Sequence, residues 1–327
     1  MSFRSIRQCV IVAVIAFVAG GVATVGAADK YPMRPIDLIV PFGAGGSVDL
    51  TARALSSVAV QHIGQPLVVT MKPGGSGVIG ASLVARANPD GYTLMAGGTT
   101  PVTVAPQLES SGYTNDSFVA VAHINQLPSV VAIKADKPWK TLQELLSYIR
   151  ADPTKVVYGT SSISGVTNLG NHMLLRSAGI TAPLTTVPYK SVGEHILSVL
   201  RGETDYMVQL TAGLMPNVHS RQIRILGVLS DKRFPLLPDV PTAKELGYDV
   251  VSVNWTGVLA PKGTPADIVA ELSKSFGKMM ADPAFVAMAT KTEIPPLYMA
   301  APDFQRYLDA EYKKYGELIE RLGLRKK

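Results

Sequence analysis

The sequence predicts an α/β protein of two lobes. Two blocks in which short, β-rich apolar runs alternate with helical patterns carry this reading, and the loops after the runs are dense in glycine. Size agrees: 327 residues, 47% hydrophobic, suffice for two moderate cores.

The N-terminal stretch belongs to neither core. Arg4 and Arg7 precede a charge-free apolar run over residues 10–25, followed by Gly26, Ala27 and Ala28. That order reads as a signal peptide over residues 1–28, cleaved after small residues, and so as export to the periplasm. The run falls short of the roughly 20 residues of a spanning helix. The only cysteine, Cys9, lies ahead of it, so the exported chain has neither disulfide nor thiol chemistry. Loss of Arg4 and Arg7 takes the net charge from +6 to +4. No Lys/Arg block is interleaved with aromatics, so no nucleic-acid partner is expected.

In the first block, Ile36–Val40 reads as a buried strand and Ser47–Ile63 as a helix stopped by Gly64. A strand at 67–69, a helix at 78–87, a turn at 88–91 and a strand at 92–96 follow. This β-α-β-α-β order predicts a parallel sheet with helices on both faces. The second block has strands at 130–133, 156–158, 185–187, 206–208 and Ile223–Leu229. Its helices are expected at 141–150, Val166–Ser177 and 191–201. Thr141 with Glu144, and Ser191 with Glu194, form capping boxes, and Gly202 ends the last helix. Near the C-terminus Thr264 and Pro265 are expected to open a helix, as cap and first residue. Phe304, Leu308, Tyr312, Tyr315, Leu318 and Leu322 recur at spacings of three and four, the stripe of a closing helix. No flexible tether separates the lobes.

The chemistry is expected in the glycine loops. Phe42-Gly43-Ala44-Gly45-Gly46-Ser47 leaves a strand and enters a helix. Amides there lack internal partners and the helix dipole is positive, which suits a carboxylate or phosphate. Asp49 sits in the first helical turn with Arg53 four residues on; its own charge would repel an anion, so its expected part is to hold the loop, a water or a donor group. Gly75, Gly77 and Gly80 match G-x-G-x-x-G, but no acidic residue stands about 20 residues on to hold a ribose, so this match is read as coincidental. Gly97-Gly98-Thr99-Thr100 ends a strand. In the second block the loop over residues 159–167, with Thr160, Ser161, Ser164, Gly165 and Thr167, does the same. These two segments are expected to face each other across a cleft.

Motifs for turnover are missing: there is neither G-x-S-x-G nor H-E-x-x-H, and none of the five histidines pairs at metal-ligand spacing. Binding without catalysis, and without cofactor or metal, is expected. An exported hydrolase of a small acid derivative and a sensory receptor presenting its ligand to a signalling protein are the alternatives.

The segments "YPMRPIDLIVPFGAGGSVDLTAR", "KPGGSGVIGASLVARANPDGYTL", "VPYKS", "LPDVPTAKELGY" and "LAPKGTP" resemble the Bug-type receptors of tripartite tricarboxylate transporters. The resemblance covers essentially the whole exported chain. It implies a type II periplasmic binding-protein fold, with chain crossings near residues 126–131 and 250–255. Lobe 1 would then comprise residues 29–128 and 253–327, and lobe 2 residues 129–252. It further implies a carboxylate held by lobe 1 loops, here Phe42, Ala44, Gly45, Gly46, Ser47 and Asp49, with Gly98 and Thr99. The far end would meet Thr160, Ser161, Ser164, Gly165, Thr167, Tyr189 and Gln209. The implied partners are a small mono- or dicarboxylate, aliphatic or aromatic, and the membrane components of the transporter. The chain departs from the family's usual PPGG at residues 43–46, from His and Glu where Asn168 and His172 align, and from Asp or Asn at Gln209. The carboxylate end is thus retained and the distal end altered.

Overall fold

The computed structural model describes residues 31–108 and 110–324. The signal-peptide reading therefore lies outside the described residues. Contacts divide the chain into Met1–Met33 and Arg34–Lys327, and the second unit is described below.

Ten strands form one mixed sheet. They are β1 (Ile36–Val40), β2 (Leu67–Met71), β3 (Thr93–Gly98), β4 (Phe118–Lys134), β5 (Val157–Thr160), β6 (Thr185–Pro188), β7 (Tyr206–Leu210), β8 (Ile223–Leu229), β9 (Val253–Pro261) and β10 (Pro296–Ala300). The principal order is β2-β1-β3-β9-β4-β7-β5-β6, with β8 and β10 also paired to β4. Two parallel blocks, β2-β1-β3 and β7-β5-β6, are joined through the antiparallel strands β9 and β4. Strand β4 changes partners along its length: Phe118 to Pro128 pair with β9, whereas Ser129 onward pairs with β7 and β8. Val131 and Ile133 point into one apolar cluster and Val130 and Ala132 into another, so the second half of β4 is buried on both faces.

The helices are α1 (Ser47–Ile63), α2 (Val78–Ala85), α3 (Ala105–Leu108), α4 (Leu142–Ala151), α5 (Val166–Ser177), α6 (Val192–Arg201), α7 (Met215–His219), α8 (Ala266–Met280), α9 (Pro283–Lys291) and α10 (Ala301–Leu322). Helix α1 stops where expected, at Gly64 in the left-handed region, φ 87°. The cap half of each expected box forms: Thr141 accepts from the Glu144 amide and Ser191 from the Glu194 amide, each at 3.2 Å. In each, the glutamate reaches one residue past the cap, to the Lys140 or the Lys190 N–H. Phe304, Leu308, Tyr315 and Leu318 of α10 are buried.

The start of α8 differs from the expectation. Pro265, extended at ψ 139°, occupies the cap position, and Thr264 donates its hydroxyl back to Pro261 O at 2.8 Å. Thr264 closes the preceding turn instead of capping the helix. No described helix is long and apolar enough to cross a membrane.

Candidate functional site

A cavity of about 340 Å³ lies where the turns after several strands meet. Its size suits a small organic molecule. The C-terminal ends of strands in open α/β sheets are the usual place for ligands, because helix N-termini gather there.

Four such N-termini reach the wall: Gly46 to Val48 of α1, Gly77 before α2, Gly165 to Thr167 of α5, and Ser191 with Val192 of α6. Gly46, Gly77 and Gly165 are the caps of the first three, and none receives a side-chain cap. Helices α4, α6 and α9, by contrast, are capped by Thr141, Ser191 and Asp282. The first amides of a helix have no partner within it, and the dipole adds positive potential. At α2 the Val78 and Ile79 amides donate to the Gly75 and Gly74 carbonyls, and at α5 the Val166 amide donates to Thr100 Oγ1, so the amides left open on the wall are those of Ser47 and Val48 in α1 and of Thr167 in α5.

Side chains complete the wall. Ser47, Thr167 and Asn254 line it, are at least nine-tenths buried, and have no hydrogen-bond partner for their side-chain polar atoms among the described residues. Gln209 donates to Ser161 Oγ at 3.0 Å and accepts from the Leu210 amide at 2.9 Å. Phe42 and Pro73 give apolar surface. Among the described residues, no Asp or Glu lines the cavity, and Lys190 is the one charged residue that does.

Of the residues expected from sequence, Phe42, Ala44, Gly46, Ser47, Ser161, Gly165, Thr167 and Gln209 come together on this wall. The others stand behind it or elsewhere. Asp49 is 2% exposed, accepting the Gly45 N–H at 2.9 Å and Arg53 Nε at 2.8 Å. Its carboxylate is consumed in holding the turn, and Gly45 is consumed with it. Thr99 accepts the Trp255 amide at 3.0 Å and so ties β3 to β9. Gly98 abuts the Trp255 carbonyl, where a Cβ would lie 3.0 Å from the oxygen. Thr160 exchanges hydrogen bonds with Ser162 and shapes its loop. Tyr189 stacks on His195, ring centroids 5.5 Å apart and planes within 10°. Ser164 lines a separate cavity of about 160 Å³ with Asn168 and His172.

Sequence reasoning missed the turn from Pro73 to Gly77, which lines the cavity. Its G-x-G-x-x-G pattern is not coincidental in geometry. Gly77 adopts φ 95° against Pro101 and Phe42, and a Cβ on Gly80 would lie 2.8 Å from Pro41 Cα. The glycines serve a tight turn and a close helix-to-strand approach. The usable signal was position after a strand, as for the first turn. Thr100, from the expected Gly97–Thr100 loop, also lines the cavity, whereas Lys190 and Asn254 were missed as lining residues.

Two contacts cross the cavity. Ser162 Oγ donates to Ser76 Oγ at 2.8 Å, and the Val166 amide donates to Thr100 Oγ1 at 3.1 Å. Among the described residues, no three His, Cys, Asp or Glu side chains are grouped to hold a metal ion.

Comparison with known proteins follows the same lines. The family model described as tripartite tricarboxylate transporter family receptor matches residues 51–324. A Cupriavidus necator relative, the UPF0065 protein in the gbd 5' region, is 34% identical over 91% of this chain and 90% of its own. Among solved structures, the periplasmic binding protein BugD superposes with a TM-score of 0.83 at 31% identity, covering 91% of this chain and all 100% of BugD. A Rhodopseudomonas palustris protein solved with adipate gives 0.83 at 28%, covering 90% and 99%. MatC of the same organism, with bound malate, gives 0.80 at 25%, covering 88% and 100%.

Proposed function

Because this chain belongs to the tripartite tricarboxylate transporter receptor family, we propose that its cavity captures a small organic acid and that the loaded protein delivers it to the membrane components of such a transporter. It is a periplasmic receptor for small carboxylates and not an enzyme. Relatives were solved with adipate and with malate. Export would follow cleavage of residues 1–28.

The carrying observation is the meeting of four helix N-termini, three of them glycine-capped, on a cavity wall with no acidic side chain among the described residues. A carboxylate placed at the starts of α1 and α5 accepts hydrogen bonds from the Ser47, Val48 and Thr167 amides and lies at the positive ends of the dipoles. Asn254, Ser47 and Thr167 add side-chain donors. Asp49 acts from behind by holding Gly45. We read residues 29–128 with 253–327 as one lobe and 129–252 as the other. This division is supported by the change of partners at Pro128 and Ser129 in β4. In this reading closure brings Ser76 to Ser162 over the bound acid, and closure is favoured only by contacts better made in that state.

A thermal-shift screen over mono- and dicarboxylates, with sugars and nucleosides beside them, tests the reading. Acids at 100 times their Kd should stabilise the fold by about 2.7 kcal/mol through mass action. A melt moved by sugars or nucleosides and by no acid refutes the ligand class.

A further inference from the structure

Resting on the carboxylate reading above, we infer that Lys190 takes up a second anionic group, so that the cavity selects two-ended dicarboxylates over monocarboxylates of equal length. Among the described residues, Lys190 is the single charged side chain on the wall. No acid pairs with it among the described residues. Glu194, four residues on, directs its carboxylate to the Lys190 main-chain N–H at 3.0 Å, as part of the α6 cap.

Lys190 immediately precedes Ser191, the cap of α6, at the start of a ten-residue helix whose end is also met by the Glu194 carboxylate. The uncapped starts of α1 and α5 keep the cavity side positive. An anion beside Lys190 gains a charge-assisted hydrogen bond.

The position also separates two poles. Lys190 follows β6, at one end of the strand order, while the turn from Gly43 to Ser47 follows β1, near the opposite end. Uncapped amides of α1, with Ser47 and Asn254, serve one carboxylate. Lys190 and the start of α6 serve the other, and Phe42 and Pro73 supply apolar wall to the same cavity. A monocarboxylate occupies the first pole alone.

Calorimetric titration of the purified protein with succinate against butyrate, and adipate against hexanoate, tests this. Lys190→Gln should weaken the dicarboxylate of the better-bound pair roughly ten- to hundredfold and leave its monocarboxylate within about twofold. Lys190→Arg should restore most of the difference. Lys190 is exposed, so neither change should harm the fold. If Lys190→Gln leaves the ratio of the two affinities unaltered, Lys190 is a solvated cation and the inference falls while the receptor reading stands. If the native protein binds none of the four acids but the thermal screen finds others, two-ended aliphatic selection is overturned. If no acid of any kind binds, both readings fall together.

Discussion

Ser162 donates its hydroxyl to that of Ser76 across 2.8 Å, joining two turns 86 residues apart in the chain. Both turns line the cavity, so this bond lies over the space where a ligand would sit. The one cysteine of the sequence is Cys9, so a protein produced from Asp29 onward has none. A Ser76→Cys, Ser162→Cys variant, loaded with acid and then oxidised, should release it roughly tenfold or more slowly, and a thiol reductant should restore the native rate. An unchanged release rate in a protein with the disulfide formed would show that the ligand leaves by another way.

Gly46 caps α1 at φ −79°, and a Cβ there meets nothing within 4 Å. Aspartate fits this backbone and would cap the helix from within. Gly46→Asp should therefore raise stability by about 0.5–1 kcal/mol. The same carboxylate would occupy the amides and repel an incoming anion, so affinity should fall at least roughly tenfold. Denaturant unfolding and titration on one preparation give both numbers. A variant that is stabilised yet binds as before would place the ligand away from α1.

Gly165 behaves oppositely. A Cβ there would lie 2.7 Å from the Ser162 side chain. Gly165→Ala should displace Ser162, break its bond to Ser76 and weaken binding, while unfolding shifts by about 1–2 kcal/mol. Binding and stability both fall here, in contrast to Gly46→Asp.

His195 lies buried in α6 against the Gly159 backbone, and burial pushes its pKa down to about 4, the Gly159 contact opposing the shift. In the unfolded chain it titrates near the usual 6.5. Between these values the unfolded state holds the extra proton, so stability is complete above pH 6.5 and declines as the pH falls toward 4. The loss is on the order of 3 kcal/mol. Burial also lowers His123 and His172, which act in the same direction. His195→Phe keeps the ring against Tyr189 and should flatten part of this acid limb. An unchanged slope in urea unfolding across pH 4 to 6.5 would contradict the assignment.

Much of the fold could be read from the sequence because its signals are local. Apolar runs mark β1, β3 and β8, Gly64 ends α1, and Ser191 with Glu194 opens α6. Strand β4 was legible only over Val130 to Ile133. Its earlier part carries His123, Asn125, Gln126 and Pro128, and shifts register against β9. The burial of these polar residues is set by partners far along the chain. Strands β9 and β10 were missed for the same reason; each pairs with β4 over a long separation.

The site shows a similar division. Glycine turns after strands announced themselves, and eight of the expected residues share the cavity wall. Which face of a turn looks inward was not local information. Thr99 is drawn to Trp255 and Tyr189 to His195, contacts set by packing. The Pro73 to Gly77 turn was set aside because its motif is known for another chemistry, although its place after β2 matched the other turns.

Anion capture in this cavity depends on the main-chain donors at the glycine-capped starts of α1 and α5. Amide NMR during titration with a binding acid observes them individually. The N–H resonances of Ser47, Val48 and Thr167 should move most, downfield, and saturate together at the affinity found by calorimetry. If those resonances stay still while the acid binds, or the changes gather at some other part of the surface, the anion is not held by these helix ends.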